Sequence, residues 1–497
     1  MSDSVFLAVD IGASSGRHVA GLFDGNRLRL EEVYRFENGA VPAAGHLYWD
    51  LLQQWSHIRT GLRMAANKYG NRLASLGVDT WGVDYGLLDK RDELLGNPFT
   101  YRDHRADGML ERAFAIVPKE QIFQQTGVQF MQINTLYQLL SSRLSGSPIL
   151  DAAETFLMMP DLFHWLLTGE KANEFTDAST SQCLDPLTQD WSKSLLEQLG
   201  IPTGILKNIV HPGTKLGKLR PQLAAEMGLS KIEVVLPGTH DTASAVMAVP
   251  ATSTNRATPD WCYISSGTWS LMGVEIPQPI LSRRCLELNF TNEGGVDNTI
   301  RLLKNISGLW LVQECRRIWN QTGKAQSWED LSRAAAAAPP LAYLIDPDDA
   351  GFLSPDNMPQ AIAEYCRRTG QGAPPDPGAV LRCALESLAL AYRRVLGALE
   401  ELTGGRINRI HIVGGGTQNR QLCQAAADAC QRRVVAGPVE ATAIGNLMMQ
   451  AVAAGQVANI AQAREIIRHS FSVDEYAPRD KAAWDAAYDR FQKLAPS

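Results

Sequence analysis

A chain of 497 residues exceeds what one ordinary hydrophobic core supports, so two or more lobes are expected. Hydrophobic residues make up 45% and charged residues 20%, with a formal net charge of -6, which is the balance of a water-soluble globular protein. Lysine and arginine are scattered and the balance is mildly acidic, which argues against nucleic acid or an anionic membrane as the principal partner.

The N-terminus, MSDSVFLAVDIG, has no basic segment, and Asp10 interrupts its apolar run, so neither a signal peptide nor a membrane helix is expected. No uncharged apolar run approaches the roughly 20 residues that span a bilayer. A cytoplasmic location follows as the expectation. The eight cysteines form no CxxC pair and no zinc-like spacing, so buried thiols in a reducing compartment are expected. Cys423 and Cys430 share one expected helix, seven residues and about 10 Å apart along its axis, too far for a disulfide.

Short β-rich runs open the chain at Val5 to Val9, Val19 to Phe23 and Leu28 to Tyr34, with a DGN turn after the second. Their spacing suggests an antiparallel meander. After Asp50 the period becomes helical, with Leu51, Leu52, Trp55, Ile58, Leu62, Ala65, Ala66 and Tyr69 on one face and Asp50 placed to cap it. A strand at Leu76 to Val78 completes a strand, helix, strand order, so an α/β domain is expected. Residues 100 to 230 read mostly helical, and DLFHWLLTG closes at Gly169. Residues 249 to 260 are polar, rich in Pro and Thr and aperiodic, which sets the lobe boundary near 245 to 260 and divides the chain into 1–248 and 249–497. The second half repeats the logic with strands near 262 to 274, a surface loop at 370 to 378, a long helix over 380 to 402 and a strand at Ile410 to Val413. The halves are similar in pattern only.

Three strand-then-turn elements carry the chemistry. In VFLAVDIGASSGR the strand ends on Asp10, and Gly12, Ser14, Ser15, Gly16 and Arg17 follow at once. Glycines let amides turn toward phosphate oxygens, the serines add hydroxyl donors, and Arg17 adds a fixed positive charge. A carboxylate at that position suits Mg²⁺, held mostly through water; an ordinary hairpin turn containing an Asp is the competing reading. CYISSGTWSLMG offers a second candidate phosphate turn in Ser265, Ser266, Gly267 and Thr268. RIHIVGGGTQN gives three adjacent glycines on which a flat adenine or ribose could lie, although close packing of helix on strand would need the same residues. In PGTHDTASA, Asp241 opens a small-residue helix. It is either a cap or the general base that takes a proton from a substrate hydroxyl during phosphoryl transfer. GVDTWGVDYGLL, residues 77 to 88, reads as a β-hairpin whose Asp79, Trp81 and Asp84 suit a sugar, with hairpin and core-filling roles as the alternative.

VDIGASSGR, DTWGVD, NTLYQL, MMPDLF, HDTASAV, SSGTWSLMG, TNEGG, LKNISGLWLVQE and HIVGGGTQN follow in order across nearly the whole chain. With these segments the chain resembles the FGGY carbohydrate kinases. The resemblance implies a two-lobed actin and hexokinase-like ATPase fold of ribonuclease H-like domains, with a cleft between the lobes. It implies ATP and Mg²⁺, a small-molecule ketose as the other partner, no nucleic acid and no membrane, and a monomer or a homodimer. It assigns Ala13, Ser14, Ser15, Gly16 and Arg17 to ATP phosphates, Thr268 to a second phosphate contact, and Gln313 and Gly416 to the nucleotide. Asp241 becomes the proton acceptor, Gly82, His240, Thr242 and Asn305 the sugar contacts, and Asp10 the residue near Mg²⁺. The implied reaction is phosphorylation of L-rhamnulose on its 1-hydroxyl. Rivals are a member of the same family acting on L-fuculose or a pentulose, and a non-catalytic sugar or nucleotide sensor. Two segments depart from the pattern: Thr417 stands where a Cys is common, and residues 320 to 340 match nothing in it.

Overall fold

The structure is a computed structural model describing residues 4–229, 231–253, 255–323, 326–353 and 355–494. The chain forms two compact units, one of Met1–Thr254, Glu275–Leu302 and Ala441–Phe471, the other of Asn255–Val274, Leu303–Glu440 and Ser472–Ser497.

In the first unit the opening runs form the expected meander. Ser4–Ile11 pairs antiparallel with Ser15–Phe23, which pairs antiparallel with Leu28–Glu37. Leu73–Thr80 lies parallel to Ser4–Ile11, in a register that sets Asp79 beside Asp10. Glu233–Val235 and then Lys215–Lys218 complete a six-stranded sheet. Ser4–Ile11 is buried on both faces, which explains why it reads as a continuous apolar run rather than an alternating one.

Helices cover this sheet through residues of opposite parity. His18, whose Nε2 lies 3.2 Å from Ile58 O, meets the helix Leu51–Tyr69 at Gly61. Gly21 meets Leu447 of the helix Ala441–Ala453. As the period predicts, Asp50 caps Leu51–Tyr69, accepting from Gln53 N at 3.0 Å. The helix expected to close at Gly169 is Met159–Thr168, with Gly169 at φ 92°.

One expectation fails. Residues 77–88 are not a hairpin, because Tyr85–Leu88 leaves the sheet and pairs antiparallel with Thr155–Met158. The cause is the loop between the strands, which turns inward around Asp84 rather than back on itself.

The second unit repeats the topology of the first. Trp261–Ser266 and Trp269–Ile276 form an antiparallel hairpin, and Arg409–Val413 lies parallel to the first of them. Arg433–Ala436 extends the sheet in parallel and Asp474–Tyr476 in antiparallel, with Ile300–Ser307 beside the hairpin's other strand. The long helix is Pro377–Thr403, opened by Asp376, which accepts from Ala379 N at 2.9 Å, so the expected loop 370–378 ends two residues early. Tyr392 of this helix and Ser270 join through their hydroxyls at 2.7 Å. All eight cysteines are buried. Among the described residues no helix is long and apolar enough to cross a membrane.

Candidate active site

In the first unit the turn after Asp10 is braced from outside itself. Gly12 N donates to Ser15 O at 2.9 Å, Asn38 N donates to Ser14 O at 3.1 Å, and Asn38 Nδ2 donates to Gly12 O at 2.8 Å. Gln54 Nε2 in turn holds Asn38 Oδ1 at 2.8 Å. Gly12, Ala13, Ser14, Ser15 and Arg17 keep surface, while Gly16 is buried because a Cβ there would enter the Phe36 ring. The Arg17 guanidinium grips Asp10 Oδ2 through Nε at 3.0 Å and Nη2 at 2.7 Å.

Three carboxyl groups converge on this edge. Asp10 and Asp79 are register neighbours on parallel strands, and Thr80 N donates to Thr239 O at 2.9 Å, which brings in the segment carrying Asp241. Asp79 is fully buried. Its Oδ2 accepts from Asn446 Nδ2 at 2.6 Å, and its Oδ1 has no hydrogen-bond partner. Burial, with the Asp10 and Asp241 carboxylates adding and Asn446 and Arg17 opposing, holds its pKa well above the usual range. Burial also raises Asp241, with Asp10 adding; His240 and the hydrogen bonds from Thr242 oppose. The Asp241 side chain keeps 31% of its surface, so of the two raised carboxyls it is the one a ligand can reach.

The segment before Asp241 is clamped. Glu174 Oε2 accepts from Thr239 N at 3.0 Å and Thr239 Oγ1 at 2.6 Å, and Thr176 Oγ1 accepts from His240 N at 3.2 Å. Thr242 Oγ1 lies 3.1 Å from Asp241 Oδ1. Behind them, Gly445 of the helix Ala441–Ala453 packs so tightly on Asp241–Met247 that a Cβ would overlap Ser244 O.

Asp84, read from sequence as a candidate sugar ligand, is instead internal. Its Oδ2 accepts from Trp49 Nε1 at 2.6 Å, Trp81 Nε1 at 3.0 Å and Tyr101 N at 3.1 Å, and its Oδ1 from Gln138 Nε2 at 3.0 Å. With no cation against it, burial pushes its pKa up to about 6. Trp81 stacks on Trp49 with ring centroids 4.1 Å apart. Gly82 sits where a Cβ would lie 2.8 Å from Thr180 Oγ1, and that hydroxyl also takes Val83 N at 2.9 Å.

In the second unit Thr268, Gln313 and Gly416 gather around the hairpin turn. Thr268 Oγ1 donates to Gln313 Oε1 at 3.4 Å, and Leu309 N and Trp310 N donate to Gly267 O and Thr268 O at 3.0 and 3.1 Å. Gly308 fits because a Cβ would lie 2.5 Å from the Trp269 carbonyl carbon. A Cβ on Gly416 would overlap Ser266 Oγ, whereas Gly415 faces open space. Asn305 stands half-buried on Ile300–Ser307.

Sequence reasoning missed Glu174, Arg301 and Asn446 altogether, and missed the carboxylate edge that Asp79 joins. A signal existed for one of them: Asn446 and Gln450 stand four apart in AIGNLMMQ, polar residues on an otherwise apolar helix.

This duplicated sheet with a turn at each hairpin is the actin- and hexokinase-like ATPase fold. Solved sugar and polyol kinases share it: a gluconate kinase from Lactobacillus acidophilus superposes with a TM-score of 0.80 at 16% identity over 99% of this chain and 98% of the other. Plasmodium falciparum glycerol kinase with ADP gives 0.77 at 14% over 98% and 97%. Residues 5–248 match the N-terminal domain and residues 262–454 the C-terminal domain of the FGGY family of carbohydrate kinases. The chain belongs to that family. A rhamnulokinase from Bacteroides thetaiotaomicron is 45% identical over 487 residues, 98% of each chain. One from Oceanobacillus iheyensis is 42% identical over 95% of this chain and 98% of its own.

Proposed function

We propose that this chain transfers the γ-phosphoryl group of ATP to the 1-hydroxyl of L-rhamnulose, with residues 1–248 carrying the base and the sugar and phosphate contacts, and residues 249–497 the nucleotide contacts together with a second phosphate contact at Thr268 and a sugar contact at Asn305. The observation that carries the reading is Asp241, a reachable carboxyl group raised in pKa on an edge next to a braced phosphate turn. A base whose affinity for the proton lies nearer to neutrality takes a hydroxyl proton more readily as attack proceeds. The identity to rhamnulokinases over almost the whole chain supports the choice of sugar.

In this reading the substrate hydroxyl gives its proton to Asp241 while its oxygen bonds to the γ-phosphorus, and the bond to the bridging oxygen of ADP breaks. Amides of the 12–16 turn, the serine hydroxyls and Arg17 hold phosphate oxygens, and Thr268 is a second phosphate contact. Gln313 and Gly416 serve the nucleotide. Gly82, His240, Thr242 and Asn305 orient the sugar.

Among the described residues no three carboxylate, histidine or cysteine side chains are arranged as a ready metal cage. Mg²⁺ needs none, since it binds through one or two carboxylates and keeps much of its water, and the oxygen donors of Asp10 fit that chemistry. When bound, it would neutralise phosphate charge beside Asp10.

The test is turnover of the wild type and Asp241→Asn on L-rhamnulose, L-fuculose, L-ribulose and D-xylulose. L-Rhamnulose should give the highest kcat/KM, and the variant should lose on the order of 10² or more in kcat while still binding ATP. Equal use of all four ketoses would overturn the substrate, and undiminished turnover would remove Asp241 as the base.

A further inference from the structure

Among the described residues Arg301 is one of the largest side chains buried without exposure, and it contacts a residue that the proposed reaction uses. Its Nε donates to Gly294 O at 2.7 Å, and its Nη2 lies 3.1 Å from His240 Nδ1 and 3.2 Å from Glu293 Oε2. Gly294 is itself pinned, since its N–H donates to Ser179 Oγ at 2.7 Å and a Cβ would lie 2.5 Å from the Phe175 ring. The planar fork is therefore aimed, and His240 is held from the other side by its backbone bond to Thr176.

A guanidinium has five donors and no acceptor. Only a lone pair on Nδ1 can face it, and a neutral imidazole with its lone pair on Nδ1 carries its hydrogen on Nε2. Nε2 stands 3.6 Å from Asp241 Oδ1. We infer that Arg301 is a positioning residue that locks His240 as the Nε2–H tautomer, so that His240 and Asp241 present the sugar with a hydrogen-bond donor beside an acceptor. This rests on the reading of Asp241 as the residue that receives the hydroxyl proton. The pairing matches a hydroxyl, which accepts one hydrogen bond and donates another. The opposite tautomer would set two acceptors side by side and would leave an Nδ1–H against Arg301, with Glu293 Oε2, 3.4 Å away, as its only acceptor.

The measurement is a long-range ¹H–¹⁵N spectrum of the full chain labelled on its histidine rings, with His240 assigned by its loss in His240→Gln. Nδ1 should show the pyridine-like shift of an unprotonated nitrogen and Nε2 the pyrrole-like one. The reverse pattern, a proton on Nδ1, overturns the inference without any variant having to fold. Arg301→Lys keeps the charge and loses the fork. It should mix the tautomers and raise the KM for L-rhamnulose about tenfold, the scale of one hydrogen bond, with the KM for ATP unchanged. An unaltered tautomer and KM in that variant would also overturn it. In Asp241→Asn the Nε2–H pattern should persist, so a failure of the base assignment shows in turnover and a failure of the tautomer assignment shows in the spectrum.

Discussion

Asp84 gives the sharpest test of how the first unit is held together. Its four donors are neutral and its charge has no cation, so the carboxylate is solvated by the protein alone. The rise from 3.8 to about 6 is roughly two pKa units, which at roughly 1.4 kcal/mol per unit makes the charged form about 3 kcal/mol costlier in the fold than in the unfolded chain. Asp84→Leu removes that cost but leaves Trp49 Nε1, Trp81 Nε1 and Tyr101 N without an acceptor, at about 1–3 kcal/mol each. Gln138 is spared, because its Nε2 also donates to Ile133 O at 2.9 Å. At neutral pH the net loss should be about 3 kcal/mol, taking the middle of that range. Asp84→Asn keeps an acceptor for the three donors and sheds the charge, so it should stay within about 2 kcal/mol of the wild type at neutral pH.

The pH dependence separates this account from simple packing. A folded pKa above the unfolded one means that the folded chain binds the extra proton, so this contribution is full below pH 3.8 and is lost as pH rises through about 6. Between pH 7.5 and 5 the wild type should gain about 1.4 kcal/mol from Asp84 that Asp84→Asn does not gain, the rest of the profile being common to both. Urea unfolding followed by tryptophan fluorescence at the two pH values measures the difference. Parallel pH profiles, or equal losses in the Leu and Asn variants, would refute the reasoning.

Two further tests concern close approach. Gly445→Ala places a methyl group on Ser244 O and must push the helix Asp241–Met247 aside, so it should cost a few kcal/mol in stability and at least about tenfold in kcat; wild-type values for both would show that the helix yields freely. Gly416→Ala collides with Ser266 and should lower the melting temperature, whereas Gly415→Ala meets open space, should melt like the wild type and should raise the KM for ATP; equal melting temperatures would contradict the packing argument, and an unchanged KM would take the nucleotide away from that turn.

Local signals carried much of the fold. The meander, the capped helix Leu51–Tyr69, the hairpin Trp261–Ser266 with Trp269–Ile276 and the helix Pro377–Thr403 all follow from period, cap and turn residues that act over short distances. The segment 77–88 was misread because Asp84 is a hairpin residue by local grammar and becomes internal only through Trp49, Tyr101 and Gln138, up to 54 positions away. Glu174 and Arg301 were invisible for the same reason: each acts on the Thr239–His240 segment across 61 to 65 positions, which no window of sequence spans. Nor does anything local tie residues 441–471 to the first unit. Asn446 reaches Asp79 and Gly77, and Gln450 reaches Ser75 and Leu7, across more than 360 positions.

That last connection explains how a buried carboxyl group is tolerated at Asp79. Parallel strands in register place Asp10 and Asp79 side by side, and two like charges so placed cannot both ionise cheaply. The repulsion is relieved unequally. Asp10 receives the Arg17 fork, while Asp79 receives only the amide of Asn446, itself held by Gly77 O and by Gln450 Nε2 at 2.7 Å. A neutral donor stabilises a carboxylate less than a guanidinium does, so of the two it is the buried Asp79 whose carboxyl group keeps its proton. The apolar helix Ala441–Ala453 spends its buried Asn446 and Gln450 on this division, and its Gly445 on seating the helix that begins at Asp241. One element thus sets the charge of one carboxyl group and the position of another, so its polar residues do more than fill space in the packing.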